Sequence, residues 1–311
     1  MKKFAFRVLL VLLLLSMLAQ PFSAAELKTG SITLEYSHSG AAYPGLEISI
    51  RRVADIAPDG DHKLSEPYDG FPVNIGGITS QNEWKNAAGT LATYIAAYQM
   101  AADHTAKTDE NGLVVFDGLQ EGIYLISGAT AEDDRGVCRF EDFFIFLPTP
   151  GDDGKPNYDM TALPKGDFTP AEDDGGDEPE FVPYQVVKVW KDTGNRNRRP
   201  SQITVDLLRD NMVQQTVILN ATNNWNYRWQ AESGEKWSVV ERDVPDDYKV
   251  VITENDTVFQ ITNTHVGHLE VPKTGDTAAL WLYVLAMCLS GFGLLIIAIA
   301  AKRRTSREKN Q

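Results

Sequence analysis

Three polar residues, Lys188, Glu241 and Asn263, fall on faces of short predicted strands that are otherwise apolar. Side chains two positions apart in a strand point to the same side, and this alternation defines the three faces. The apolar companions are Tyr184, Val186 and Trp190 in the first strand, Trp237 and Val239 in the second, and Phe259 and Ile261 in the third. Burying each polar group alone would cost several kcal/mol, so we expect the three to satisfy one another in the core.

Such a buried cluster has a definite chemistry. Loss of water lowers the pKa of Lys188 towards a neutral amine and raises that of Glu241 towards a protonated acid. The amine can then attack the Asn263 carboxamide, while Glu241 stabilises the developing negative charge and transfers the proton that lets ammonia leave. An amide bond would join the first of these strands to the last. Alternation alone leaves another interpretation open, in which Lys188 extends to solvent, Glu241 ends a strand at the surface and Asn263 caps a turn.

The elements that must position these residues lie in 181–266. This part consists of short apolar segments separated by turn residues, without a helical pattern, which is typical of a β-sandwich. The segments are "YQVVKVW", "ITVDLL", "QQTVILN", "WNYRW", "WSVVE", "YKVVIT" and "VFQITNT".

Residues 26–165 predict a second β-sandwich with one inserted helix. "SITLEYS" and "LEISI" alternate as half-buried strands, "GIYLISG" and "FFIFLP" are apolar enough for core strands, and "LATYIAAYQM" spaces Leu91, Ile95 and Tyr98 as on one helix face. Between the two parts, "GDFTPAEDDGGDEPE" (166–180) has the composition of an extended acidic linker. The predicted fold is therefore all-β: two tandem Ig-like or prealbumin-like sandwiches, followed by a transmembrane helix.

Both ends of the chain predict export and anchoring. Basic residues, an apolar run and small residues before Glu26 are typical of a signal peptide over 1–25. Near the other end, 278–301 has no charged residue and is long enough to cross a hydrocarbon core of roughly 30 Å. The basic residues of 302–311 would stay in the cytoplasm, so everything before the span lies outside.

Composition excludes several functions. The chain has 29 basic and 43 acidic residues; 8 and 2 of these lie outside 26–274, which leaves 21 against 41 in the exported part. So acidic a body is not expected to bind nucleic acid. The two cysteines, Cys138 and Cys288, cannot form a disulfide within the exported part. The five histidines show no metal-ligand spacing, and no catalytic motif is present, so we expect neither an enzyme nor a metal or other cofactor.

The second part resembles a known family. "VVKVWKD", "RRPSQITVDLLRD", "NNWNYRW", "VVERDVPDDYKV" and "FQITNTH" are similar to the successive signatures of a Cna B-type domain, over about residues 184–265. In that family a lysine, an asparagine and an acidic residue form an intramolecular isopeptide bond. The resemblance implies that Lys188 and Asn263 are joined and that Glu241 is the autocatalytic acid and base.

The first part is similar to the prealbumin-like domain of Gram-positive pilins, over about residues 30–165. The similar segments are "LEISIRRVADI", "TDENGLVVFDGLQEGIYLIS", "FFIFLP" and "YDMTALPK". Its first strand has no inward lysine and "YDMTAL" has no asparagine, so we expect no isopeptide bond there. "YDMTALPK" resembles the end of the pilin motif, in which the lysine after proline joins subunits. Lys165 is thus a candidate polymerisation lysine, against the alternative of an ordinary solvated domain end.

The segment "VPKTG", formed by Val271, Pro272, Lys273, Thr274 and Gly275, resembles a cell-wall sorting signal because the apolar span and the basic tail follow it. The resemblance implies that a sortase cuts between Thr274 and Gly275 and passes the threonine carbonyl to a peptidoglycan precursor or another pilin subunit. Val271 replaces the usual leucine, so the motif leaves the sortase class open. The chain would then be membrane-inserted first and wall-anchored afterwards.

These observations favour a structural surface protein of a Gram-positive cell, either a small minor or basal pilus subunit or an adhesin stalk that contacts a host or matrix ligand. Two alternatives remain: a polymerising shaft pilin that uses Lys165, and a membrane-anchored binding module that is not sorted.

Overall fold

The computed structural model describes residues 28–151, 153–171, 180–192, 194 and 196–266. The expected signal peptide (1–25), sorting motif (271–275), membrane span (278–301) and basic tail (302–311) lie outside the described residues. In the part of the chain that is described, no helix is long and apolar enough to cross a membrane.

The first sandwich is built from short strands that form several small sheets. Its strands are β1 (Thr29–Glu35), β2 (Ser37–His38), β3 (Ala41–Ala42), β4 (Glu47–Ala54), β5 (His104–Lys107), β6 (Leu113–Gln120), β7 (Gly122–Ile126), β8 (Thr130–Asp133), β9 (Gly136–Phe140), β10 (Phe143–Leu147), β11 (Thr149–Pro150), β12 (Pro156–Asn157), β13 (Asp159–Ala162) and β14 (Gly166–Pro170). The larger sheets have the orders β13-β1-β6, β10-β7-β4-β5 and β14-β9-β8. Their inward side chains share one core, so the predicted alternation of Ile32, Leu34 and Tyr36 is confirmed.

One helix, α1 (Gln81–Ala97), follows β4 in the chain. Its first turn is closed by a capping box, in which the Ser80 side chain accepts from the Glu83 amide and the Glu83 carboxylate accepts from the Ser80 amide. The helix therefore starts ten residues before the apolar segment that predicted it. Leu91 and Ile95 are buried as expected, but Tyr98 is 52% exposed because it lies just beyond the last helical residue.

The predicted linker is wrong at its start. Gly166–Pro170 forms β14, which pairs antiparallel with β9, and Phe168 packs against the first core and stacks on His38 with ring centroids 4.6 Å apart. Composition does not reveal this pairing because the partner strand lies some thirty residues earlier in the chain. Residues 172–179, the most acidic part of the segment, lie outside the described residues.

The second sandwich has two sheets that face each other across one core. Its strands are β15 (Phe181–Lys191), β16 (Gln202–Arg209), β17 (Met212–Asn220), β18 (Asn226–Glu232), β19 (Trp237–Arg242), β20 (Tyr248–Asn255) and β21 (Val258–His265), and short 3-10 turns occur at Arg196–Arg198 and Ala221–Asn223. The sheet orders are β18-β15-β21-β20 and β17-β16-β19. The first and last strands, β15 and β21, are parallel neighbours in the middle of the four-stranded sheet.

The two sandwiches are in contact within one compact unit. A single apolar cluster contains Leu91, Tyr94 and Ile95 of α1 together with Leu208 and Val240 of the second sandwich. The sequence predicts two sandwiches but not this contact, because Val240 points to the outer face of its sheet, away from the core that alternation identifies.

Candidate cross-linking site

The three predicted residues come from three strands of the second sandwich. Lys188 lies on β15 and Asn263 on the adjacent parallel β21, with Lys188 opposite Ile261 and Trp190 opposite Asn263 in the register. Glu241 lies on β19, in the facing sheet. Each side chain points into the core because it shares the inward face of its strand with buried apolar residues, as the period-two alternation predicts.

The three side chains contact one another. Lys188 Nζ lies 3.3 Å from Glu241 Oε2, and Asn263 Nδ2 donates a hydrogen bond of 2.9 Å to Glu241 Oε1. The side chains of Lys188 and Glu241 are 0% exposed, and Asn263 as a whole is 0% exposed. The alternative in which Lys188 extends to solvent and Glu241 lies at the surface is therefore wrong.

Burial changes the acid–base properties of this pair. It lowers the pKa of Lys188 to about 8, although the nearby Glu241 acts in the opposite direction. Burial likewise raises the pKa of Glu241, against the opposing effects of Lys188 and the hydrogen bond from Asn263. Both shifts favour the uncharged forms, so transfer of one proton from the ammonium to the carboxylate produces a nucleophilic amine beside a neutral acid.

Among the described residues, no hydrogen-bond donor reaches Asn263 Oδ1, whereas Glu241 Oε2 faces the Lys188 ammonium. A half-turn of the carboxamide would bring Asn263 Oδ1 against Glu241 Oε1, which can donate to it once protonated. In that arrangement the acid polarises the carbonyl that the amine attacks. The Lys188 ammonium also lies 4.2 Å from the centre of the Trp190 ring, which covers it from solvent.

Further residues border the cluster and were not anticipated from the sequence. Asp192 receives two hydrogen bonds from Arg199, of 2.5 and 2.6 Å, and one of 3.1 Å from Tyr248. Tyr94, on α1 of the first sandwich, donates a hydrogen bond of 2.8 Å to the backbone carbonyl of Glu241. Tyr94 precedes Glu241 by 147 residues, so no local pattern could have revealed this contact.

The other predicted positions are not brought to this cluster. Lys165 is exposed in the short connection between β13 and β14, and its carbonyl accepts from the Glu141 amide at 3.1 Å. Val271, Pro272, Lys273, Thr274 and Gly275 lie outside the described residues. Among the described residues, no group of three or more histidine, cysteine, aspartate or glutamate side chains could hold a metal ion.

Fold and site together define a small β-sandwich domain built around a buried lysine, glutamate and asparagine. Residues 184–264 match the family model of the Cna protein B-type domain, so the chain contains a Cna B-type domain, and the resemblance predicted for this part is confirmed.

Solved structures were also compared with the whole chain. A single B repeat unit of the collagen-binding surface protein of Staphylococcus aureus is 16% identical, covering 76% of this chain and 99% of that chain, with a TM-score of 0.26. A shaft pilin of Lactobacillus rhamnosus GG is 14% identical, covering 78% and 100%, with a TM-score of 0.26. The full-length major pilin of Corynebacterium diphtheriae is 15% identical, covering 76% and 64%, with a TM-score of 0.28. No curated protein matches the chain.

Proposed function

We propose that this chain is a sortase-anchored surface protein of a Gram-positive cell, a small pilus subunit or adhesin stalk, whose second sandwich is braced by an isopeptide bond between Lys188 and Asn263. The observation that carries the proposal is the fully buried contact of Lys188, Glu241 and Asn263 inside a Cna B-type domain. A buried ion pair is weak evidence for stability by itself, so a covalent product is a better reason for its presence.

The bond forms in one addition and one elimination. The neutral Lys188 amine adds to the side-chain carbonyl carbon of Asn263, and Glu241 donates a hydrogen bond to the oxygen on which negative charge develops. Glu241 then delivers its proton to the leaving nitrogen, and the resulting carboxylate takes a proton from the attacking nitrogen. The carbon–nitrogen bond of the carboxamide breaks, one ammonia leaves, and Glu241 returns to its starting protonation state.

The position of the bond suits a protein under tension. Lys188 and Asn263 lie on β15 and β21, the first and last strands of the domain. A pulling force that enters near residue 181 and leaves near residue 266 passes through these two strands. A covalent link between them carries the force directly, so the five strands between them are not stretched.

Sorting would place the domain at the cell wall. The sortase would cut between Thr274 and Gly275 and transfer Thr274 to a peptidoglycan precursor or to another subunit. The exposure of Lys165 favours a second candidate, in which that lysine joins successive subunits into a shaft. Wall digestion followed by an immunoblot separates these functions: a ladder indicates polymerisation, a single band a monomeric anchored protein, and detergent extraction of the uncleaved chain an unsorted binding module.

Peptide mapping of the full-length chain tests the isopeptide bond. After denaturation and proteolysis, the peptides that contain Lys188 and Asn263 should appear as one linked species whose mass is their sum less one ammonia. Lys188→Ala and Glu241→Ala should each give two separate peptides. Lys191→Ala is the matched control, because Lys191 lies on the same strand with an exposed side chain, and it should retain the linked species. Separate unmodified peptides from the unaltered chain would refute the bond.

A further inference from the structure

The two sheets of the second sandwich end, on one side, in the edge strands β19 and β20. An edge strand exposes backbone donors and acceptors that a neighbour can take up. Here the neighbour is the first sandwich. The Val250 amide donates to the Pro72 carbonyl at 2.7 Å, the Ile252 amide donates to Thr90 Oγ1 at 2.9 Å, and the Glu241 carbonyl accepts from the Tyr94 hydroxyl at 2.8 Å.

Of these three contacts, the one at Glu241 involves a residue of the proposed cross-linking reaction. Glu241 belongs to β19, which among the described strands pairs only with β16, on its other side. The hydrogen bond from Tyr94 therefore holds the free edge of the strand at the residue whose carboxylate touches both Lys188 and Asn263. Burial and the nearby Glu241 raise the pKa of Tyr94 well above its usual value, so the hydroxyl keeps its proton and remains a donor.

The same tyrosine lines a cleft that reaches the strand of the reacting cluster. This cleft of about 330 Å³ runs between the two sandwiches, and its lining includes Phe71, Tyr94, Tyr98, Glu241 and Tyr248. Both Tyr94 and Glu241 line the cleft, yet Tyr94 is only 2% exposed and Glu241 only 1% exposed. Removing the ring would extend this cleft towards the buried carboxyl.

We infer that Tyr94 of the first sandwich is a positioning residue for isopeptide formation in the second, and that α1 must be docked for the reaction to run at its full rate. The inference rests on the proposed cross-link. It makes the first sandwich a participant in the maturation of its neighbour: the bond closes quickly only after both sandwiches have folded and packed together. The hydroxyl of Tyr94 holds the Glu241 backbone, and its ring keeps the cluster dry.

The pH profile of bond formation separates these two roles. The reactive form contains a neutral Lys188 and a protonated Glu241, so the pair must hold a single proton, and the rate falls at low pH, where both groups are protonated, and at high pH, where neither is. Other titratable groups facing the pair are Asp192 and Arg199, which are ion-paired with each other, and the hydroxyls of Tyr94 and Tyr248.

Entry of water would move the pKa of Lys188 up from about 8 and that of Glu241 down. The two pKa values would then lie further apart, so the pH range over which the pair holds one proton would widen. The maximal rate would fall, because the fraction of pairs in the neutral form drops about tenfold for each additional pH unit between the two pKa values. Loss of the hydroxyl alone should lower the maximal rate without widening this pH range.

The test uses full-length chain made by pulsed cell-free translation and chased at a series of pH values. Samples are quenched in denaturant, and the linked fraction is measured by peptide mapping. Tyr94→Phe should form the bond about five- to tenfold more slowly than the unaltered chain, with the same pH limits. Tyr94→Ala should be slower still, with a widened profile. The control is Tyr124→Phe, which removes a 2.8 Å hydrogen bond from a tyrosine to the Gln120 carbonyl inside the first sandwich and should react at the normal rate.

Three outcomes of this experiment would contradict the inference or the cross-link on which it rests. If the unaltered chain forms the bond and Tyr94→Phe forms it equally fast, the inference is overturned while the proposed function stands. If Tyr124→Phe is slowed as much as Tyr94→Phe, the effect is general destabilisation and the inference again fails. If the unaltered chain never loses ammonia, the proposed cross-link on which the inference rests is wrong.

Discussion

Substituting Lys188 by methionine should remove the covalent brace with little other damage. Methionine is close to lysine in length and carries no charge, so Glu241 can become neutral and keep its 2.9 Å contact with Asn263. Removing one partner of a buried ion pair is destabilising when it leaves an uncompensated charge, but a neutral Glu241 leaves none, so loss of the bond should dominate. Lys188 and Asn263 are about 75 residues apart, and by analogy with a disulfide, closing a loop of that length stabilises the domain by about 4 kcal/mol. For a domain of this size the melting temperature should fall by roughly 15 to 30 °C.

Calorimetry of the full-length chain would measure this change, with peptide mapping of the same sample to establish whether the link is present. Lys191→Met, on the same strand but exposed, is the matched control and should melt within a few degrees of the unaltered chain. A Lys188→Met chain that shows no linked peptides and yet melts less than about 5 °C below the unaltered, linked chain would contradict this prediction. That result would mean that the bond changes the conformational entropy of the unfolded chain only slightly.

Three further predictions concern other parts of the chain. Thr274→Ala should leave the protein uncleaved in the membrane fraction, and its appearance on digested peptidoglycan would contradict the sorting assignment. Lys165→Ala should abolish any high-molecular-weight ladder on blots of wall digests if that lysine joins subunits, whereas an unchanged ladder would exclude it. Ser80→Ala removes one half of the capping box of α1 and should cost about 1 kcal/mol in denaturant unfolding, with Ser37→Ala, outside the helix, as the control.

Much of the second sandwich could be predicted from the sequence because its strands are regular. The period-two arrangement of β15 and β21 identifies the inward faces without any knowledge of neighbours, since side chains two apart always share a side. Burying a lysine, a glutamate and an asparagine apart from one another is costly, so their contact was expected. The sequence left open that they lie at the surface, and the burial of all three in the structure excludes this. The helix of the first sandwich was likewise visible in its apolar spacing, although its start depended on the capping residues Ser80 and Glu83.

The tertiary structure alone decided the features that depend on distant partners. The polar composition of Gly166–Pro170 predicts a linker, but the segment forms a strand because the edge of β9 is available to pair with it. Val240 points away from the core of its own sandwich and is buried because α1 covers it. In the sequence, Tyr94 is indistinguishable from the other apolar residues of its helix. Its contact with Glu241 exists because the first sandwich packs across the open edges of the second. Local sequence reports which side of an element is apolar; which surface covers that side depends on how the whole chain packs.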